Sequence, residues 1–259
     1  MGTLSILLRK ELLESWRSFR LPVVGGLFVL VGLSSPLLAR FMPEIIKAAA
    51  GEALGPIAIP PPTAADAVDQ VQKNLGQFGS LAAIVLAMGS VASEVERGTA
   101  AFILARPVGR SAFLAAKAIA IGLVLAVTVA LAIAVGWLYT AILFEPPAVG
   151  GWIALGLLAW LALVAWAALT FLASAVTASA AAAAGVGFVA LLGLSIAAAV
   201  PGVARWTPAG LAAPASALAS GRSVGGELGA DLWVPVGATV GLIALALVGS
   251  AVAFRRREL

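Results

Sequence analysis

Histidine and cysteine are both absent from the 259 residues, and methionine occurs only 3 times. Without histidine the chain lacks the commonest general base, proton shuttle and metal ligand. Without cysteine it has no disulfide, no thiolate metal site and no thiol nucleophile. Triad hydrolysis and histidine-ligated metal chemistry are thereby excluded. Charge is scarce too: Asp, Glu, Lys and Arg make up 11% of the sequence against 62% hydrophobic residues. With a mean hydropathy of +1.08, that balance lies far from soluble domains and marks a polytopic membrane protein.

Apolar runs of the roughly 20 residues that a bilayer core demands occur at 21–39, 75–92, 112–143, 152–173, 180–200 and 232–254. Their length and their Ala and Leu content predict helices, since barrel strands alternate in polarity over about 10 residues. The expected fold class is an all-α polytopic membrane protein with six transmembrane helices. The tract from Ala173 to Ala184 has no charge to mark a loop, so five spans with one long bent helix stay open.

With the third taken from Ala118, past Lys117, the interiors of these spans hold no Asp, Glu, Lys or Arg, and intramembrane charges are the usual mark of proton relays and ion pathways. An ion-coupled carrier or channel loses its ordinary machinery, although backbone carbonyls at broken helices can still serve one. No Gly-x-x-x-x-Gly-Lys-Ser/Thr phosphate loop is present; the glycine-rich Gly221 to Gly229 stretch lacks the lysine. The carboxylates sit in loops rather than as a facing pair, so the chain is not expected to be an enzyme.

Orientation follows from the basic residues. Arg9, Lys10, Arg17, Arg20, Arg97, Arg106, Arg110, Lys117 and Arg255 to Arg257 fall on one side, while Arg40, Lys47, Lys73, Arg205 and Arg222 fall opposite among more numerous acids. Both termini are expected to be cytoplasmic in a prokaryotic plasma membrane. The same bias accounts for the net charge of +4 and leaves no basic face for nucleic acid. Aromatic residues fit the frame, with Trp137, Tyr139, Phe144, Trp152, Trp206 and Trp233 near outer ends and Trp16, Phe19 and Phe254 near inner ones.

Residues 3–20 read as an interfacial helix resting on membrane lipid: Leu4, Leu8, Leu12, Trp16 and Phe19 share one stripe, and Lys10, Glu14 and Arg17 lie across from it. Pro22 and the Gly25-Gly26 pair predict a bend into the first span. Residues 40–74 contain no spanning run and read as an extracytoplasmic cap, where a partner protein could sit. Within it Thr63 and Asp66 have capping-box spacing. Residues 201–231 form the other outer loop, in which Pro208 and Gly221 bracket a re-entrant or loop helix over 207–220.

A charged island runs from Ser93 to Lys117, with its core at 93–111. Gly98-Thr99 predicts a turn and an N-cap, and Arg106-Pro107 a stop. Glu94 and Glu96 then precede the helix and Arg106 closes it, the polarity a helix dipole favours. Because so much charge needs water, the island is expected to face it.

Glu94-Val95-Glu96-Arg97-Gly98-Thr99, followed by Leu104-Ala105-Arg106-Pro107-Val108-Gly109-Arg110, resembles the coupling segment of type-2 ABC exporter permeases. It is most similar to the subgroup associated with multicopper-enzyme maturation. The likeness extends to the N-terminal helix with Arg9-Lys10-Glu11-Leu12, the six spans and the basic ending Phe254-Arg255-Arg256-Arg257. It implies that residues 1–259 form one permease domain, the passive half of an ATP-driven exporter. The implied partners are an ATP-binding subunit, which would hold the ATP and Mg, and a second permease copy or paralogue.

By the same resemblance Glu94, Glu96, Arg97, Gly98, Thr99, Arg106, Pro107 and Arg110 would transmit motion, supported by Arg9, Lys10, Glu11 and Trp16 from the interfacial helix. Thr99→Pro or Glu94→Lys would then uncouple ATP hydrolysis from transport. Small residues at Ala181-Gly185 and Ala183-Gly187 have the spacing of close helix contacts. With no Cys or His and few Met the chain offers no soft-metal ligand set, so direct copper transport is not expected. A stand-alone carrier or channel, and a scaffold that moves nothing, are the competing readings.

Overall fold

The computed structural model describes residues 3–50, 60–104, 109–222 and 230–257. Its long elements are α1 (Thr3–Arg17), α2 (Arg20–Ala50), α3 (Ala64–Met88), α6 (Arg110–Leu143), α7 (Val149–Val176), α8 (Ala180–Ala198) and α10 (Ala230–Arg255). Short helices α4 (Ala92–Glu96) and α5 (Thr99–Leu104) join α3 to α6, and α9 (Ala212–Ala219) precedes α10. Among the described residues there is no strand. Among these residues six helices are long and apolar enough to cross a membrane.

The six-span reading holds over the five-span one, because a real break separates α7 from α8. The Thr177 hydroxyl donates to the Ala173 carbonyl, and the Ser179 hydroxyl accepts from Ala182 N–H as an N-cap. A serine that caps offers the backbone the bond that helix continuation would otherwise supply.

α7 is the hub: it packs on α3, α6, α8, α9 and α10, while α2 runs along α6 and α3. Packing at the α2–α6 crossing needs a missing side chain, since a Cβ on Gly32 would sit 2.6 Å from the Ala132 carbonyl oxygen. A buried polar clasp joins α2 to α3, where Asn74 Nδ2 donates to Ser35 Oγ at 2.9 Å and Ser35 donates to the Val31 carbonyl. Inside a bilayer each of those groups would otherwise lack a partner. α8 and α10 are left largely uncovered by the rest of the chain.

Several boundaries differ from the hydropathy reading. α2 continues through Arg40 to Ala50 and α3 starts at Ala64, so most of the described part of 40–74 is helical rather than loop. At 31 residues α2 is about 46 Å long, well beyond a hydrocarbon core of about 30 Å. Charge at Arg40, Glu44 and Lys47 ends the membrane-compatible run without ending the helix. The capping box is present as expected: Thr63 N–H donates to Asp66 Oδ2 at 2.7 Å and Thr63 Oγ1 accepts from Asp66 N–H.

The bend into the first span also moves. It falls at Ser18-Phe19, where Phe19 takes a left-handed φ of 59°, and not at Pro22. Pro22 sits in the first turn of α2, where a missing N–H costs no helical bond. Trp152 and Phe254, expected at the membrane rims, are buried instead, whereas Trp16, Phe19, Trp206 and Trp233 stand exposed. The α1 stripe is corrected as well: Leu8 and Leu12 are half-buried towards the protein, while Ile6, Leu13 and Trp16 form the uncovered apolar surface beside Arg9 and Arg17.

Candidate functional site

At one end of the bundle the N-terminal helix, the 92–104 segment, the start of α6 and the tail of α10 come together. This basic end is built from the backbone outward. After α3 stops at Gly89, Ser174 Oγ on α7 accepts from Val91 and Ala92 N–H at 3.1 and 2.9 Å. That contact supplies the cap α4 lacks locally. α4 ends at Arg97, and Gly98 turns the chain with φ 70°, a conformation that glycine adopts without steric cost.

Thr99 does not behave as the expected N-cap. It is the first residue of α5, and its Oγ1 donates backward to the Glu94 carbonyl at 3.1 Å, closing the end of α4. Glu94 and Glu96 likewise belong to a helix of their own rather than to a lead-in.

Glu94 turns inward. Its Oε1 accepts from Lys117 Nζ at 2.7 Å and Lys10 Nζ at 3.0 Å, and Glu11 Oε1 accepts from the same two ammoniums at 3.0 Å each. The four groups close a ring of alternating sign that ties α1, α4 and α6 together. Lys117 is only 3% exposed, so the island does not face water throughout, as its charge had suggested; its last cation is sheathed by carboxylates. Lys117 also lies 5.0 Å above the Phe113 ring, which stacks on Phe254 of α10 at 5.8 Å. Burial of Lys10 works against its charge, but hydrogen bonds and attraction from Glu11 and Glu94 outweigh it and hold the ammonium well above its ordinary range.

Glu11, Glu14 and Glu94 bring carboxylate oxygens within 4.8 Å of one another. Lys10 and Lys117 already supply the positive charge a metal ion would bring there, so the residues do not fit a metal centre. Glu94 Oε2 is buried with no hydrogen-bond partner among the described residues. Beside the ring lies a pocket of about 420 Å³ that Arg20, Ser93, Arg97 and Phe102 also line.

Two arginines extend the linkage. Arg110 donates to the carbonyls of Phe254, Arg255 and Arg257, covering the C-terminus of α10. Arg257 donates to the carbonyls of Ala175 and Thr177 at the end of α7. Cations at helix C-termini satisfy orphan carbonyls and oppose the dipole. Arg110 is thus an internal brace and not a free docking charge.

Of the residues singled out from sequence, Lys10, Glu11 and Glu94 meet in the ring; Glu96, Arg97, Gly98 and Thr99 are exposed beside it; Arg9 and Trp16 are exposed and apart from it. Arg106 and Pro107 lie outside the described residues. Sequence reasoning missed Lys117 as a ring member and Phe102, which stands 75% exposed on α5. The signal for Phe102 was a lone aromatic in an alanine-rich turn inside a charged island. It also passed over Gly221-Arg222-Ser223-Val224-Gly225, the spacing of a nucleophile elbow. Ser223 lies outside the described residues, and the sequence contains no histidine to activate it.

At the opposite end a cleft of about 1050 Å³ opens between α3, α7, α8 and α9. The re-entrant or loop helix expected over 207–220 lies at its lip. Pro208 heads a 3₁₀ turn, Pro208–Leu211, that leads into α9, and Gly221 ends that helix with φ 70°. The Gly221 and Arg222 N–H groups donate to the Leu218 and Ala217 carbonyls, a Schellman closure. α9 is no surface loop: Pro214, Ala215, Ser216 and Ala219 are buried, and the backbone of Leu218 lies so close to Gly151 that a side chain there would collide.

An uncharacterized transmembrane protein of Bacillus subtilis (strain 168), YxlG, is 29% identical over 212 residues, covering 81% of this chain and 82% of its own length. The family model for ABC-2 family transporter proteins matches residues 5–259. A bundle of six membrane-crossing helices and a match over nearly its whole length place this chain in the ABC-2 family of transporter membrane proteins.

Proposed function

We infer that this chain is the permease subunit of an ATP-driven exporter. It would sit in a prokaryotic plasma membrane with the basic end and both termini in the cytoplasm, and pair with a second permease copy or paralogue. ATP and Mg would be held and hydrolysed by a separate ATP-binding subunit. The observation that carries the reading is the linkage at the basic end. The exposed residues Glu96 to Thr99 and Phe102 adjoin the Lys10–Glu11–Glu94–Lys117 ring, and Phe113, Arg110 and Arg257 carry that connection on to α6, α10 and α7. A push on the short helices therefore reaches the spans through paired charges and stacked rings.

Phe102, beside exposed Arg97 and Glu96, has the make-up of an anchor: an aromatic knob with charges at its rim. For the second copy, α8 divides its small residues. Ala183 and Gly187 are buried, Gly187 directly under Thr170 of α7, whereas Ala181 and Gly185 are open. The exporter direction and the multicopper-maturation subgroup rest on the Glu94 to Arg110 motif, and the absence of soft-metal ligands argues against copper as cargo.

The test is purification of the tagged chain from its native membrane in mild detergent, with identification of stoichiometric partners and measurement of their ATPase rate. An ATP-binding subunit should copurify, and Phe102→Ala and Arg97→Glu should weaken its retention while leaving the permease folded. Thr99→Pro should leave the complex assembled and lower the ATPase rate that the permease elicits. A chain that is reproducibly solitary, or variants that change neither retention nor rate, would defeat the reading.

A further inference from the structure

The cleft at the far end is graded along its length. α3 supplies Asp69, Lys73 and Gln77 on the way down to Leu81, a descent of about 18 Å at the helical rise. Charge is confined to the rim. Arg222 Nη2 reaches Asp69 Oδ1 at 3.4 Å, both groups more than half exposed, and among the described residues Lys73 has no carboxylate within ion-pair distance. Among the described residues that line it, the rim therefore carries one cation in excess, with a second held only by an exposed and weak pair. The floor is apolar, formed by Leu163 and Trp166 of α7 with Phe188 and Leu192 of α8. At about 1050 Å³ the space stands at the upper end of small-molecule pockets, which run from about 300 to 1,000 Å³.

We propose that this cleft binds a single-chain amphiphile with an anionic head, the head at Lys73 and Arg222 and the chain laid down against Leu163, Trp166 and Leu192. This rests on the transport reading, of which it names the substrate class. An inorganic anion would leave the apolar floor empty, and a neutral hydrocarbon would leave the rim charges without a counterpart. Gln72 Oε1, a buried acceptor in the cleft with no partner among the described residues, is placed for a hydroxyl or amide donor on the head. The Schellman turn at Gly221 is what delivers Arg222 to the rim.

Trp166 makes the site readable. The purified full chain in phosphatidylcholine nanodiscs at alkaline pH is titrated with dibromostearate, whose bromines quench nearby indoles, and in parallel with its uncharged methyl ester. The expected result is a saturable phase of quenching for the acid, missing for the ester and missing in Trp166→Phe. Lys73→Gln and Arg222→Gln should each weaken it by about fivefold, the size of a partly screened surface charge. Ala162→Phe, which fills the cleft from the α7 side, should abolish it in a chain that still elutes as a folded monomer or dimer.

Quenching that rises without saturation, is equal for acid and ester, or is untouched by these substitutions would overturn the proposal and mean lipid at the protein surface only. Since the titration needs no ATPase, the two readings fail separately. No saturable phase in a chain that retains an ATP-binding subunit sinks the substrate class alone. A saturable phase in a solitary chain sustains the site and sinks the ATP-driven reading.

Discussion

Lys117 is the residue on which the basic end turns. It is buried on α6, and both carboxylates that neutralise it come from other helices. Replacing it with methionine leaves Glu11 and Glu94 facing each other with Lys10 alone between them. Breaking one side of a buried pair typically costs about 3 to 5 kcal/mol, so Lys117→Met should lower the melting temperature in detergent sharply. Converting the ring wholesale, with Glu11→Gln and Glu94→Gln added, should recover much of that loss, because apolar or neutral sets replace buried ion pairs at little cost. Glu94→Lys, which the motif alone offers as a coupling test, replaces one of the ring's two anions with a third cation and so tests the fold instead. Lys10 gives the pH dependence. Its pKa is raised above 10.5 in the folded protein, so the stability it contributes is present in full below 10.5 and is lost only as pH rises through the raised value. Hydrogen exchange of α1 amides, corrected for intrinsic rate, should therefore report unchanged protection from neutral pH up to that range.

Among the elements, the helix ends do more than the helix bodies. Arg110 covers the end of α10 and Arg257 the end of α7, so Arg110→Gln should loosen the last turn of α10 and Arg257→Gln the Ala173 to Thr177 turn. Each loss is worth about 1 to 2 kcal/mol as a charge-assisted bond at a C-terminus, read as faster local hydrogen exchange with little change in global melting. Bodies are governed by close approach, and Gly32→Val should cost about 1 to 3 kcal/mol of overpacking at the α2–α6 crossing. Hydropathy made the six spans legible because a bilayer selects on transfer energy residue by residue, and the Thr63–Asp66 cap was legible because its partners are three apart. The ends of α2 and α3 were not, since charge marks where the membrane stops and not where helical bonding stops. The ring was legible only as separate letters: Glu11 and Lys117 are 106 positions apart, and nothing local in either says they touch. Thr99 misled for the opposite reason, because a threonine after glycine suits an N-cap and a backward bond to the preceding helix equally well.

For the whole molecule the open quantity is orientation, and the lack of cysteine makes it directly measurable. The fold places the N-terminal helix, the 92–104 segment and the α10 tail at one end, and the α2 extension, the Thr63 cap and the charged cleft at the other. Basic residues crowd the first end, and moving Lys or Arg across a bilayer is what the membrane resists most consistently. Single cysteines at exposed positions should therefore divide by end: Glu44→Cys on the α2 extension should react with a membrane-impermeant maleimide in intact cells, while Arg97→Cys and Arg256→Cys should react only after permeabilisation. The same experiment bears on both proposals, since an ATP-binding subunit can reach Arg97 and Phe102 only from the cytoplasm and an exported amphiphile can leave by the Lys73 rim only if that rim faces outward. The reverse labelling pattern would remove the partner's access to the exposed helices and make the cleft a point of uptake from the cytosol.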